Sequence, residues 1–165
     1  MGEVVRVLGI DASTVSCGFA IVDGKQLLQW RHLPLKGSQT HKERRRLVAL
    51  RCMKLEAKYK PDLIAIERLR LFHRGMIKFE TIVALASLWA IISDAVSVPT
   101  FTVPTQTWKR VVLGRGNATK DDSVAWVKRE YGIDVNHDVA DAICIARFGL
   151  LAASPSFKSY FRKLD

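Results

Sequence analysis

Two short apolar runs each close on a carboxylate: Val4 to Ile10 ends at Asp11, and Leu63 to Ile66 ends at Glu67. Runs this apolar and this rich in β-branched residues suit central strands covered on both faces, which places helices on both sides of one sheet. Such a strand carries the acid that follows it out at its C-terminal end. The runs therefore predict both a layered α/β fold and two acids emerging from its framework.

The remaining elements fit that frame. Asp23-Gly24 lies between two strand-like stretches and signals a two-residue hairpin, so three antiparallel strands open the chain. Thr40 to Tyr59 is predicted helical, with Thr40 and Glu43 as a capping box and Leu47, Leu50, Met53 and Leu55 as its apolar stripe. Met76 to Val96 reads as a long helix, apolar around much of its circumference, and Pro99 opens a short strand. Gln106 to Leu113 is a short helix stopping at Gly114. Thr119 and Asp122 cap the next helix, which ends near Gly132, and the last starts about Asn136 and stops at Pro155. The expectation is one α/β domain over residues 1–165 with a central mixed sheet flanked by helices, residues 155–165 forming a basic tail.

The acids stand against an unusual background. The 165 residues hold 26 Lys plus Arg against 16 Asp plus Glu, a formal net charge of +10. A balance this basic implies a polyanionic partner; alone it fits RNA, DNA or an anionic membrane surface. The three cysteines, Cys17, Cys52 and Cys144, are widely spaced and form no Cys-x-x-Cys pair, which speaks against zinc and for buried free thiols in a reducing compartment. The N-terminus lacks the pattern of a signal peptide. The longest apolar stretch, Thr81 to Val98, is interrupted by Ser87, Ser93, Asp94 and Ser97, so no membrane span is expected. The expected location is a cytoplasm, bacterial or, for a viral protein, that of the host cell.

Within that basic chain a second pair of acids, Asp138 and Asp141, sits three residues apart at the start of the last helix, on one face. Asp138 alone fits a residue capping its helix or complementing the helix dipole. Asp141 lies between Ala140 and Ala142, where an unpaired carboxylate is costly. Two-metal phosphodiester hydrolysis requires carboxylates that hold two hard cations roughly 3.5–4 Å apart. Mg²⁺ needs only a few protein oxygens, so Asp11, Glu67, Asp138 and Asp141 suffice as ligands, with Mn²⁺ able to substitute.

GIDAST, AIER and HDVADA, in this order, resemble the RuvC-type Holliday-junction resolvases of the ribonuclease H superfamily. The resemblance spans roughly residues 4 to 150. It implies a ribonuclease H-like fold, and it implies metal ligation by Asp11, Glu67, Asp138 and Asp141, with His137 a neighbour of the ligand position. TWKRVVLGRGNATKDDSV resembles the family stretch that carries two lysines, which implies that Lys109 and Lys120 lie near the scissile phosphate. An ammonium there stabilises charge developing in the transition state. The resemblance also implies a two-fold dimer, a branched-DNA partner, and an aromatic wedge for which Phe72 is the candidate, displaced from the usual spacing. Part of the helix bearing Ile77, Ile82, Leu85, Leu88, Trp89 and Ile92 suits the dimer interface.

A basic stripe completes the picture. Lys42, Arg44, Arg45, Arg46 and Arg51 on the first helix, with Arg68, Arg70, Arg74 and Lys78, are candidates for phosphate contact, as is Arg115 in the loop before Lys120. The tail adds Lys158, Arg162 and Lys163 among Phe157, Tyr160 and Phe161. The expected function is metal-dependent resolution of four-way DNA junctions by paired cleavage. A broader branched-DNA or RNA–DNA hybrid nuclease and a non-cutting junction binder are the alternatives. GIDAST also resembles the phosphate motif of actin-like sugar kinases, but those need a second domain of similar size.

Overall fold

The computed structural model describes residues 5–68 and 78–154. Its elements in chain order are β1 (Arg6–Ala12), β2 (Ser16–Asp23), β3 (Gln26–Pro34), α1 (His41–Tyr59), β4 (Leu63–Glu67), α2 (Phe79–Ala95), β5 (Thr100–Val103), α3 (Thr105–Leu113), α4 (Lys120–Tyr131) and α5 (His137–Ala153). The sheet has five strands in the order β3-β2-β1-β4-β5. β1, β2 and β3 form an antiparallel meander, while β1–β4 and β4–β5 are parallel. Both apolar runs are therefore interior strands, β1 and β4 side by side, as their composition requires.

Alternation along these strands divides the core. Leu8 and Ile10 of β1, Phe19 and Ile21 of β2, and Ile64 and Ile66 of β4 face α1 and α2. Val7, Ala20, Val22 and Ala65 face α5, with α3 and α4 packed beyond it. Period-two geometry then sends Asp11 and Glu67 to the α5 side. Because Ile10 pairs with Ile66 in the parallel register, the two acids leave adjacent strand ends on the same face.

α5 lies directly on that face, and two glycines set how close it comes. A Cβ on Gly9 would stand 2.2 Å from the Ala142 carbonyl oxygen, and one on Gly18 would stand 1.9 Å from the Asp138 carbonyl oxygen. Neither distance is attainable, so only glycine lets the helix backbone rest on β1 and β2. Val139 to Ala146 are buried throughout. The N-terminus of α5 is capped by Asn136, whose side chain accepts from the Val139 N–H at 3.0 Å. Asp138 is thus released from capping.

Three local expectations are corrected. The hairpin loop is Gly24-Lys25: Asp23 stays in the ladder opposite Gln26 and binds Arg6 at 2.6 Å, while Gly24 takes the positive φ of 57°. On α1 the capping box of Thr40 and Glu43 forms, but the core stripe is Val48, Cys52 and Leu55, at i, i+4 and i+7, with Ala49 beside it. Leu47, Leu50 and Met53 flank that stripe and are 36%, 52% and 47% exposed. On α2 only Leu88 and Ile92 are buried; Phe79 and Val83 face solvent.

The three cysteines are buried free thiols, and burial pushes the Cys17 thiol up to about 12, which leaves it unreactive. Among the described residues no helix is long and apolar enough to cross a membrane. The close approach of α5 is directly testable. Gly9→Ala and Gly18→Ala are each expected to lower stability in urea unfolding by about 3 kcal/mol or more, through overpacking against backbone. Gly37→Ala, where a Cβ meets nothing within 4 Å, is expected to leave the midpoint unchanged.

Candidate active site

At the C-terminal ends of β1 and β4 lies an open cleft of about 450 Å³. Asp11, Glu67 and Asp141 line one side, Lys109 and Lys120 another, and Ile82, Leu85 and Trp89 of α2 form an apolar wall. The half-apolar surroundings and the crowding of like charges act in the same direction. Asp11 is held well above the ordinary carboxylate range, first by desolvation and then by the fields of Glu67, Asp141 and Asp138; Lys120 opposes them. Asp141, only 4% exposed, is pushed up to about 6, mainly by burial. Glu67 adds to that rise, while the Ser123 hydroxyl, Lys109 and Lys120 pull it down.

The remaining contacts fix the acids individually. Trp108, fully buried, donates its indole N–H to Glu67 Oε1 at 3.0 Å. The Ser123 hydroxyl faces Asp141 closely enough to lower its pKa but completes no hydrogen bond of good geometry, so it and Asp141 Oδ1 are both buried and unpaired. Asp138 stands at the rim rather than in the cleft wall. Its Oδ2 accepts from the Ser16 hydroxyl at 2.5 Å, His32 Nε2 lies 3.3 Å from the same oxygen, and Lys120 Nζ lies 3.8 Å from Oδ1. His137 turns away and meets Asp121 at 2.9 Å.

An all-carboxylate donor set with a desolvated, unpartnered oxygen at its centre suits a hard divalent cation. The acids converge without closing on one another: among the described residues no group of three or more His, Cys, Asp or Glu is already gathered at ligand spacing. The residues fit the group as an open, water-accessible site, the form in which magnesium keeps much of its hydration.

Several expected contacts with phosphate take another form. Lys109 is buried and donates to the Ala118 carbonyl at 2.6 Å, its ammonium 5.4 Å from the Trp108 ring centre. It anchors the loop that ends at the Thr119 cap, and so sets where Lys120 begins its helix. Arg44 donates to the carbonyls of Thr14, Lys36 and Gly37 at 2.8, 3.0 and 3.3 Å, tying the β1–β2 turn to the segment after β3. Arg115 reaches both oxygens of Asp122 at 2.8 Å. Both arginines were expected on phosphate; Arg44 is engaged by backbone carbonyls, while Arg115 pairs with Asp122 and is still 61% exposed. Arg68 and Lys78 are exposed and Arg45 is half-buried. Arg70, Phe72, Arg74, Ile77 and the basic tail lie outside the described residues.

The sequence reading missed Trp108, Ser16 and His32. The first has a signal in hindsight, an indole donor beside Lys109 in a segment otherwise read for its lysines. The other two follow only from strand register.

A mixed five-stranded sheet flanked by helices, with acids at the ends of the adjacent strands β1 and β4, is a ribonuclease H-like fold. Comparison with known proteins makes this specific. The family model described as crossover junction endodeoxyribonuclease RuvC matches residues 7–148, and the chain belongs to that family. Its activity is that of a Holliday-junction resolvase, and the family implies dependence on a divalent metal. Crossover junction endodeoxyribonucleases RuvC from two strains of Prochlorococcus marinus are 27% and 29% identical to it. The matches cover 88% and 87% of this chain and 97% of each relative. Among solved structures, Thermus thermophilus RuvC superposes with a TM-score of 0.68 at 22% identity, covering 88% of this chain and 98% of that one. The same protein in complex with Holliday junction substrate gives a TM-score of 0.71 at 20% identity, covering 86% and 90%.

The raised acids make stability depend on pH. Between the ordinary carboxylate value and about 6, the folded chain holds more protons at Asp141 than the unfolded chain does, so stability falls as pH rises through that window. In EDTA the melting temperature is expected to drop from pH 4 toward pH 6.5. Asp141→Asn is expected to flatten the drop and to raise metal-free stability at pH 7 by on the order of 2 kcal/mol. Parallel pH profiles for the two proteins would contradict the assignment.

Proposed function

We propose that this protein cuts four-way DNA junctions as a two-fold dimer acting through one nuclease domain per chain, with Mg²⁺ as the working cation and two ions in each cleft. The observation that carries this reading is Asp141: a carboxylate 4% exposed, one oxygen unpartnered, beside Asp11 in a chain of net charge +10. Isolated burial of such a charge is costly, and a cation between these acids removes the cost. A pure DNA binder gains nothing from acids turned toward phosphate.

Asp11, Glu67 and Asp141 hold the cations, and Asp138 joins them from the rim. Mg²⁺ bound there, or Mn²⁺ in its place, would supply positive charge for the scissile phosphate and lower the pKa of a bound water. The chain's own groups do the rest. Trp108 holds one oxygen of Glu67, so that carboxylate offers the other in a fixed direction. Lys120, at the N-terminus of α4 and exposed toward the cleft, stabilises charge on the phosphoryl oxygens. Lys109 acts behind it by anchoring the loop at Ala118. The apolar wall of Ile82, Leu85 and Trp89 limits water around the reacting group.

Arg68, which lines the cleft, and Arg45 and Lys78 beyond it, with Arg70, Arg74 and Phe72 of the adjoining segment, supply the DNA contacts. The structural relative solved with a Holliday junction bound supports a branched substrate. A two-fold dimer suits a substrate that presents two equivalent strands, and the apolar residues left exposed on α2 suit its interface. Its bacterial relatives support a cytoplasmic setting.

The test is cleavage of a synthetic four-way junction beside flap, linear duplex and RNA–DNA hybrid. Wild type is expected to cut the junction preferentially in Mg²⁺ and Mn²⁺, leaving 5′-phosphate and 3′-hydroxyl ends; Asp11→Asn is expected to bind but not cut. No cutting by wild type in either metal would sink the nuclease reading, and preference for hybrid would move the substrate. The two lysines are expected to separate. Lys120→Ala lowers the cleavage rate about 100-fold with an unchanged melting temperature. Lys109→Ala also lowers stability, by about 1–3 kcal/mol, because the Ala118 carbonyl loses its partner.

A further inference from the structure

Ser16 and His32 belong to no part of the site derived so far, yet they flank the least explained acid. Sheet register brings them there. Gly18 pairs with His32 across β2–β3, and Ser16 stands two residues before Gly18, so both side chains fall on the face that meets α5. Gly18 is also where the α5 backbone rests on β2, through the carbonyl of Asp138 itself. The Asp138 side chain therefore emerges between Ser16 and His32.

Their contacts distinguish its two oxygens. Oδ2 takes the Ser16 hydroxyl at 2.5 Å and has His32 Nε2 at 3.3 Å. Among the described residues Oδ1 meets only Lys120, at 3.8 Å, and Lys120 lines the cleft. A short hydroxyl bond to a carboxylate is among the stronger neutral–ionic contacts. The Asp138 side chain is about one-fifth exposed (22%), so without these partners it could rotate toward solvent.

We propose that Ser16 and His32 are positioning residues that hold Asp138 by Oδ2 and keep Oδ1 as its one oxygen for the cation. This rests on the metal-site reading above and extends it to two residues that touch neither cation nor DNA. Partners of this kind fix the direction of a ligand and tune its affinity.

Mn²⁺ titration of the DNA-free protein, followed by electron paramagnetic resonance, tests this without reference to cleavage. Ser16→Ala and His32→Ala are each expected to weaken Mn²⁺ binding, the pair together by about tenfold, whereas Ser16→Thr restores the hydroxyl and stays within about twofold of wild type. On an Asp138→Asn background Ser16→Ala is expected to add nothing, because it acts only through Asp138. Thermal unfolding in EDTA is expected to match wild type for Ser16→Thr and His32→Ala, since His32 sits on an exposed edge strand. If Asp138→Asn weakens binding while the Ser16/His32 double variant binds as wild type, the clamp alone is wrong. The clamp is also wrong if Ser16→Ala weakens binding as much on the Asp138→Asn background as on wild type. If Asp138→Asn itself binds Mn²⁺ as wild type does, both the ligand assignment and the clamp fall.

Discussion

Everything chemical in this protein depends on how closely α5 lies on the sheet. The helix approaches β1 at Gly9 and β2 at Gly18 to distances no Cβ could survive. That contact carries Asp141 down to the level of Asp11, where it loses its water, and presses the Asp138 carbonyl onto β2. A helix seated an ångström or two higher would leave both aspartates solvated and separate. The buried face from Val139 to Ala146 supplies the apolar burial that keeps the helix down against the repulsion it creates.

That repulsion is the second half of the design. Asp11, Glu67 and Asp141 sit in mutual fields that raise the first and last, against desolvation acting the same way. Lys109 and Lys120 relieve the strain only in part, one spent on the Ala118 carbonyl and the other held at the rim near Asp138. A divalent cation bound between these acids would relieve that repulsion and so stabilise the fold. Trp108 adds rigidity where charge alone would leave Glu67 free to rotate. Stability given up around a functional cluster is a recurrent feature of enzymes.

Much of this was legible in the sequence because strand composition and alternation are local. The run from Val4 to Ile10 and the run LIAIE had to be interior strands, and the acids after them had to emerge at their ends. The caps at Thr40 and Thr119 were equally readable, since each is a short-range hydrogen bond; of α5 the sequence showed only the start near Asn136, not the cap there. What failed were choices settled by neighbours distant in the chain. Leu47, Leu50 and Met53 are larger and more apolar than Val48 and Cys52, yet the sheet surface selected the smaller residues. Arg44 looks like a phosphate ligand in a basic chain, but three backbone carbonyls engage it. Ser16 and His32 carried no motif at all: only the β2–β3 register and the gap at Gly18 bring them to Asp138.

The central claim is that the acids delivered by β1, β4 and α5 form one cation site. Crystals soaked in Mn²⁺ and measured at the manganese absorption edge test it most directly. The account predicts anomalous density in the cleft within bonding distance of Asp11, Glu67 and Asp141, and its loss in Asp11→Asn. Well-ordered manganese elsewhere on the chain with none between these three acids would contradict it.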